Sequence, residues 1–185
     1  MNLKAAALAV LSCFTVGVTA PAQAKYETGS FDDHVELYNT IHSYGVRVFI
    51  NHPEYCDGKI DGSYISTLRV LNVCQDNGRP GGPEVEWTAN DLDTLRHEAH
   101  HMIQDCAGAG HGNGHLVHLF SHRPELLQFV DTVYSRDEQR MLMGNDSYRG
   151  HNGERQLIEL EAFATARVIN ATDIADKMNE LCRAR

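Results

Sequence analysis

The apolar positions change their period along the chain. Between residues 31 and 44, Val35, Leu37, Tyr38 and Ile41 recur at helical spacing, which predicts a helix. Arg47-Val48-Phe49-Ile50 reads as a short strand. Asp57-Gly58 and Asp61-Gly62 are turn signals. Residues 63–67 read as a second strand and residues 68–75 as a better one. A loop rich in Gly and Pro follows at 77–83. From there on every element reads as helix. Thr88 and Asp91 form a capping-box pattern, Asp91 and Asp93 suit a positive helix start, and that helix should run to about residue 105. A Gly-rich loop covers 106–114. Pro124 fits the first turn of a helix to 134, and 135–143 reads as another, stopped by Gly144. Residues 154–170 carry Leu157, Leu160, Ala164 and Val168 on a helical stripe. Thr172 is placed to cap a last helix to 182. One helix, a few short strands, then helices only is the order of an α+β domain. Its short mixed sheet should pack on the helix at 88–105, with a helical C-terminal half after it.

The first 24 residues follow another logic. A positive start at Lys4, an apolar run over 5–18 and Ala22-Gln23-Ala24 have the order of a signal peptide and its cleavage site. The run is too short for a membrane span. The chain is therefore expected in the periplasm or outside the cell, without stable membrane insertion, as one domain over 25–185. That length can bury one core without help. The formal net charge of −9 argues against nucleic acid and anionic membrane as partners.

Cys56, Cys74, Cys106 and Cys182 follow the leader, and an even number in an exported chain suggests two disulfides. Cys56 and Cys74 flank a short segment with turn residues, which favours that pair and leaves Cys106 with Cys182. No two cysteines have the Cys-x2-Cys or Cys-x4-Cys spacing of a thiolate zinc site.

The sharpest chemical signal is His97-Glu98-Ala99-His100-His101, a His-Glu-x-x-His motif inside a segment that reads independently as helix. His97 and His101 are four apart and share a face, so both imidazoles can reach one metal ion. Glu98 stands beside them and can hold the attacking water without ligating. Zinc suits such ligands and acidifies its water towards about pKa 7. Glu98 would then take the proton and pass it to the leaving amine. A metzincin continues the motif with glycine and histidine at positions 104 and 107. Here those positions hold Gln104 and Ala107. His111, His115 and His118 follow the Gly-rich loop as further ligand candidates.

A second stretch, Glu159-Leu160-Glu161-Ala162-Phe163-Ala164-Thr165-Ala166, together with the motif, resembles the gluzincin metallopeptidases, the group that includes thermolysin. In that group the third ligand is a Glu on a second helix, often followed three residues later by a small residue that lets the helices pack close. Glu159 with Ala162 fits that spacing. Glu161 points elsewhere on the helix and is the alternative. Many gluzincins carry an acidic residue or Asn after the small one, where this chain has Phe163. The group that orients a ligand histidine must then come from elsewhere, with Glu161 and Asp131 as candidates. The resemblance implies a zinc hydrolase acting on peptide or protein substrates, with His97, His101 and Glu159 on the metal and Glu98 catalytic. Tyr148 and His151, just before the ligand helix, are candidate oxyanion donors. In zincins an edge strand before the active helix commonly pairs with extended substrate, and 68–75 has that place in the order. The competing expectation is a non-catalytic, zinc-stabilised exported binding module. A fourth protein ligand would favour it.

Overall fold

The computed structural model describes residues 30–183 apart from 59, 146, 147 and 149, so the expected leader lies outside the described residues. The first helix begins as a 3₁₀ turn, Phe31–His34, because Ser30 and Asp33 cap each other across it. It continues as α1 (Val35–Ser43), which buries Leu37 and Ile41.

Three strands form one mixed sheet: β1 (Arg47–Ile50), β2 (Gly62–Ile65) and β3 (Val70–Val73), in the order β1-β3-β2. β1 pairs parallel with β3, and β2 pairs antiparallel with it. This corrects the expectation for 68–75. That run is the central strand, buried at every residue of β3, and the edges are β1 and β2, of which β2 packs against α2. The physical reason lies at Arg69, whose left-handed backbone (φ 51°) ends a 3₁₀ turn at Ser66–Leu68. β3 can start only after it, and both its sides are then taken by neighbours.

The helical part comprises α2 (Ala89–Gly108), α3 (Arg123–Val133), α4 (Arg136–Gly144), α5 (Gly153–Val168) and α6 (Ala171–Cys182). Thr88 and Asp91 form the expected capping box on α2, and Ser135 with Glu138 forms another on α4. α6 is capped by Asn170 through the Asp173 N–H, not by Thr172, which sits in its first turn. α2 runs past residue 105 to Gly108, where a Cβ would collide with the His115 carbonyl. Only glycine lets the following loop fold back so closely.

Two apolar clusters result. The larger joins Leu37 and Ile41 of α1, Leu71 and Val73 of β3, Leu95 and Met102 of α2, and Ile174 and Met178 of α6. The smaller joins Leu126 and Val130 of α3 to Leu157, Leu160 and Ala164 of α5. α2 packs on the sheet, on α6 and on α5. Ala162 and Ala166 are buried on α5, and their small side chains suit a close helix crossing. Both expected disulfides are present, Cys56–Cys74 and Cys106–Cys182, with Cα–Cα distances of 5.4 and 5.2 Å. The second ties the end of α2 to the end of α6.

Candidate metal centre

α2 is buried along most of its length, and the motif lies in its middle. His97 and His101 project from one face towards α5, their rings edge to face. Their Nε2 atoms are 3.0 Å apart. Glu159 of α5 brings its Oε2 to 3.2 Å from His101 Nε2 and 3.5 Å from His97 Nε2. Two ligands at the usual zinc bond lengths and a tetrahedral angle lie about 3.3 Å apart. The three edges bracket that value, so these residues fit a small cation with two imidazoles and one carboxylate.

Glu98 is close by: its ligand atom and those of His97 and His101 lie within 4.8 Å of one another, a group that could hold a metal ion. Glu98 faces the sheet. β2 comes so near α2 that a Cβ on Gly62 would stand 2.5 Å from Thr94 Cγ2 and 3.1 Å from Glu98 Cγ. The Tyr64 backbone lies against the Glu98 carboxylate and partly offsets its burial. The Tyr64 hydroxyl donates to buried Asp105 at 2.9 Å, which ties β2 to α2.

The electrostatics follow from burial and from Glu159. Burial presses His97 down to about 4, against the pull of Glu159. Burial also opposes charge on His101, but the hydrogen bond and charge of Glu159 outweigh it and raise it to about 9. Glu159 is buried as well, yet the two imidazoles hold its carboxyl far below the usual carboxylate range. Burial pushes Glu98 up to about 7. The pocket thus favours positive charge between the imidazoles and Glu159, and leaves Glu98 able to carry a proton.

Glu161 does not reach the imidazoles' Nε2 face. It accepts from Gln104 Nε2 at 2.8 Å and from the Leu119 N–H at 2.9 Å. Gln104 Oε1 in turn lies 2.7 Å from His101 Nδ1. Asp131 is bound to Arg136 and Gln139. The Phe163 ring packs on His97 at 4.3 Å, and His97 Nδ1 has no hydrogen-bond partner among the described residues. His118 lies between Glu154 and the Phe120 carbonyl. His111 lines a cavity by the Cys106–Cys182 disulfide, and His115 is exposed.

A cleft of about 440 Å³ opens above His97 and Glu98, bordered by Gly62 of β2, Leu142 of α4, Phe163 of α5 and Tyr148. Burial and the charges of Glu159 and Glu98 raise the Tyr148 hydroxyl above the usual phenol range, so it keeps its proton. His151 stacks edge-on against Tyr148 and does not line this cleft. Gln104 and Tyr64 escaped the sequence reading. Gln104 had a signal, since positions 97, 101 and 104 fall on one helical stripe. Tyr64 had none without the sheet order.

Comparison of the chain with models of known protein families, with curated proteins and with solved structures returns no match. The resemblance to gluzincins therefore rests on two short stretches of sequence.

Proposed function

We propose that this chain is an exported, zinc-dependent peptidase of the gluzincin type. The observation that carries the reading is the convergence of His97 Nε2, His101 Nε2 and Glu159 Oε2 within 3.0–3.5 Å, with Glu98 beside them under an open cleft. Those three side chains would hold the ion. Once bound, zinc supplies Lewis acidity, which polarises a peptide carbonyl and lowers the pKa of water. Glu98 accepts the proton of the attacking water at its carboxylate and returns it to the leaving amine. Burial, which favours the protonated form of Glu98, suits a group that must take up a proton and return it. Tyr148, proton in place, donates to the oxyanion. The outer edge of β2, unpaired among the described residues, offers main-chain groups to an extended peptide. The two disulfides suit an oxidising compartment, and no helix among the described residues is long and apolar enough to cross a membrane.

One observation favours the second reading, a non-catalytic zinc-stabilised module. Glu98 lies close enough to the imidazoles to complete a closed ligand set. Glu98→Gln separates the two. As a base variant it should fold, keep about one zinc per chain and lose cleavage of a peptide library by about 10²–10⁴. Loss of zinc in that variant, or no cleavage by the unsubstituted zinc-loaded chain, would establish the module instead.

A further inference from the structure

Gln104 is fully buried on α2, three residues beyond His101. Its partners fix the direction of its amide. Nε2 donates to the Ile158 carbonyl at 3.0 Å and to Glu161 Oε2 at 2.8 Å. A carbonyl and a carboxylate only accept, so the amide nitrogen must face α5 and Oε1 must face His101 Nδ1, 2.7 Å away. An amide oxygen cannot donate, so the proton of that bond sits on Nδ1. A neutral His101 then carries its lone pair on Nε2, the atom that meets His97 and Glu159.

Glu161 is fixed in its turn. It is 1% exposed and accepts the Leu119 N–H with both oxygens, at 2.9 and 3.1 Å. The Val117 N–H also donates to the Gln104 backbone carbonyl at 3.3 Å. The segment after the Gly-rich loop, Glu161, Gln104 and His101 thus form one continuous chain of hydrogen bonds.

We propose that Gln104 is a positioning residue of the metal centre: it holds His101 with the proton on Nδ1 and Nε2 aimed at the ion, and Glu161 acts through it by setting which way its amide points. This rests on the metal-binding part of the proposed function and not on peptidase activity. Without Gln104 the ring can turn or carry its proton on Nε2, and the ion must then bind an unordered ligand. Loss of such an outer partner commonly weakens metal binding about 10–100-fold.

The test uses the full chain and Gln104→Met, which keeps length and volume but has no amide acceptor. Zinc affinity is read by chelator competition. The Nδ1 proton of His101 is read in long-range proton–nitrogen spectra of metal-free protein, where its slow exchange reports the bond to Gln104 in either charge state of the ring and whether or not zinc binds. Gln104→Met should bind zinc about 10–100-fold more weakly and lose the slowly exchanging Nδ1 proton. Glu161→Gln still offers Gln104 an oxygen, and should keep that proton and nearly the original affinity. An unchanged Nδ1 proton and affinity in Gln104→Met overturn the proposal. Complete loss of zinc in Glu161→Gln also overturns it, because Glu161 would then be a ligand. If the unsubstituted chain binds no zinc, the function reading falls, and the Nδ1 proton alone decides the relay.

Discussion

Arg96 sits immediately before the motif and is buried, yet each face of its guanidinium is used. Nε donates to the Ala166 carbonyl at 2.9 Å, one terminal nitrogen to Asp93 at 2.9 Å, and the other lies 2.6 Å from His34 Nε2. Arginine only donates, so His34 accepts at Nε2 and carries its proton on Nδ1, towards the Ser30 carbonyl. Burial, with Arg96 adding to it, holds His34 below its ordinary pKa. A group with a depressed cationic pKa stabilises the fold above its unfolded value of about 6.5, and that stability is lost progressively as pH falls from there to its lower folded value. Thermal melts at pH 7.5 and 5.5 should show the unsubstituted chain losing more stability than His34→Gln, which can accept from Arg96 without gaining charge. Equal losses would remove His34 from the account. Neither residue was legible in the sequence, because a polar side chain on a helix gives no sign of its partner before the tertiary contact exists. The motif histidines were legible because their chemistry needs a fixed spacing on one helix. Glu161 and Glu159 could be ordered only by spacing, and it took the packing of α2 on α5 to show which carboxylate meets the imidazoles.

At the level of elements, the helices were readable from their stripes and caps, with boundaries moved by a few residues. The sheet was read less well. A mostly apolar run such as Val70–Val73, polar only at Asn72, can be a buried central strand or a strand beside the site, and pattern alone does not choose. β2, half-buried throughout, gave the weaker pattern because it has one neighbour instead of two. The disulfides hold these elements with unequal leverage. Cys56–Cys74 closes 18 residues and Cys106–Cys182 closes 76. In the chain-entropy picture those loops correspond to about 3 and about 4.5 kcal/mol. The second also holds α6 on the end of the helix that carries the motif. Replacing Cys106 and Cys182 by Ala should therefore lower the melting temperature more than replacing Cys56 and Cys74. The opposite ranking would show that residual structure or strain, and not loop length, governs their effect.

Across the whole molecule, the two apolar clusters are joined along α2 and α5 by a seam of polar groups. Arg96 reaches Ala166, the motif histidines reach Glu159, and Gln104 reaches Ile158 and Glu161. A single-domain reading of the sequence could not show this division, since both clusters draw on the same kinds of apolar residue. The larger cluster is braced by the sheet, by α6 and by the disulfides. Neither disulfide reaches the smaller one, on α3 and α5. An ion held by His97, His101 and Glu159 would sit on that seam and bind only when both sides are in place. At a thousandfold excess over its dissociation constant it would stabilise the joined state by about 4 kcal/mol. Removing it should therefore act locally before it acts globally. In hydrogen exchange followed by mass spectrometry, chelator should speed exchange in α3 and α5 and leave α1, β3 and α6 nearly unchanged. His101→Ala should show the faster exchange already and respond no further to chelator. A uniform rise across the chain would mean that the seam is not the weak joint. No change at all in metal-loaded protein would mean that the ion binds away from it.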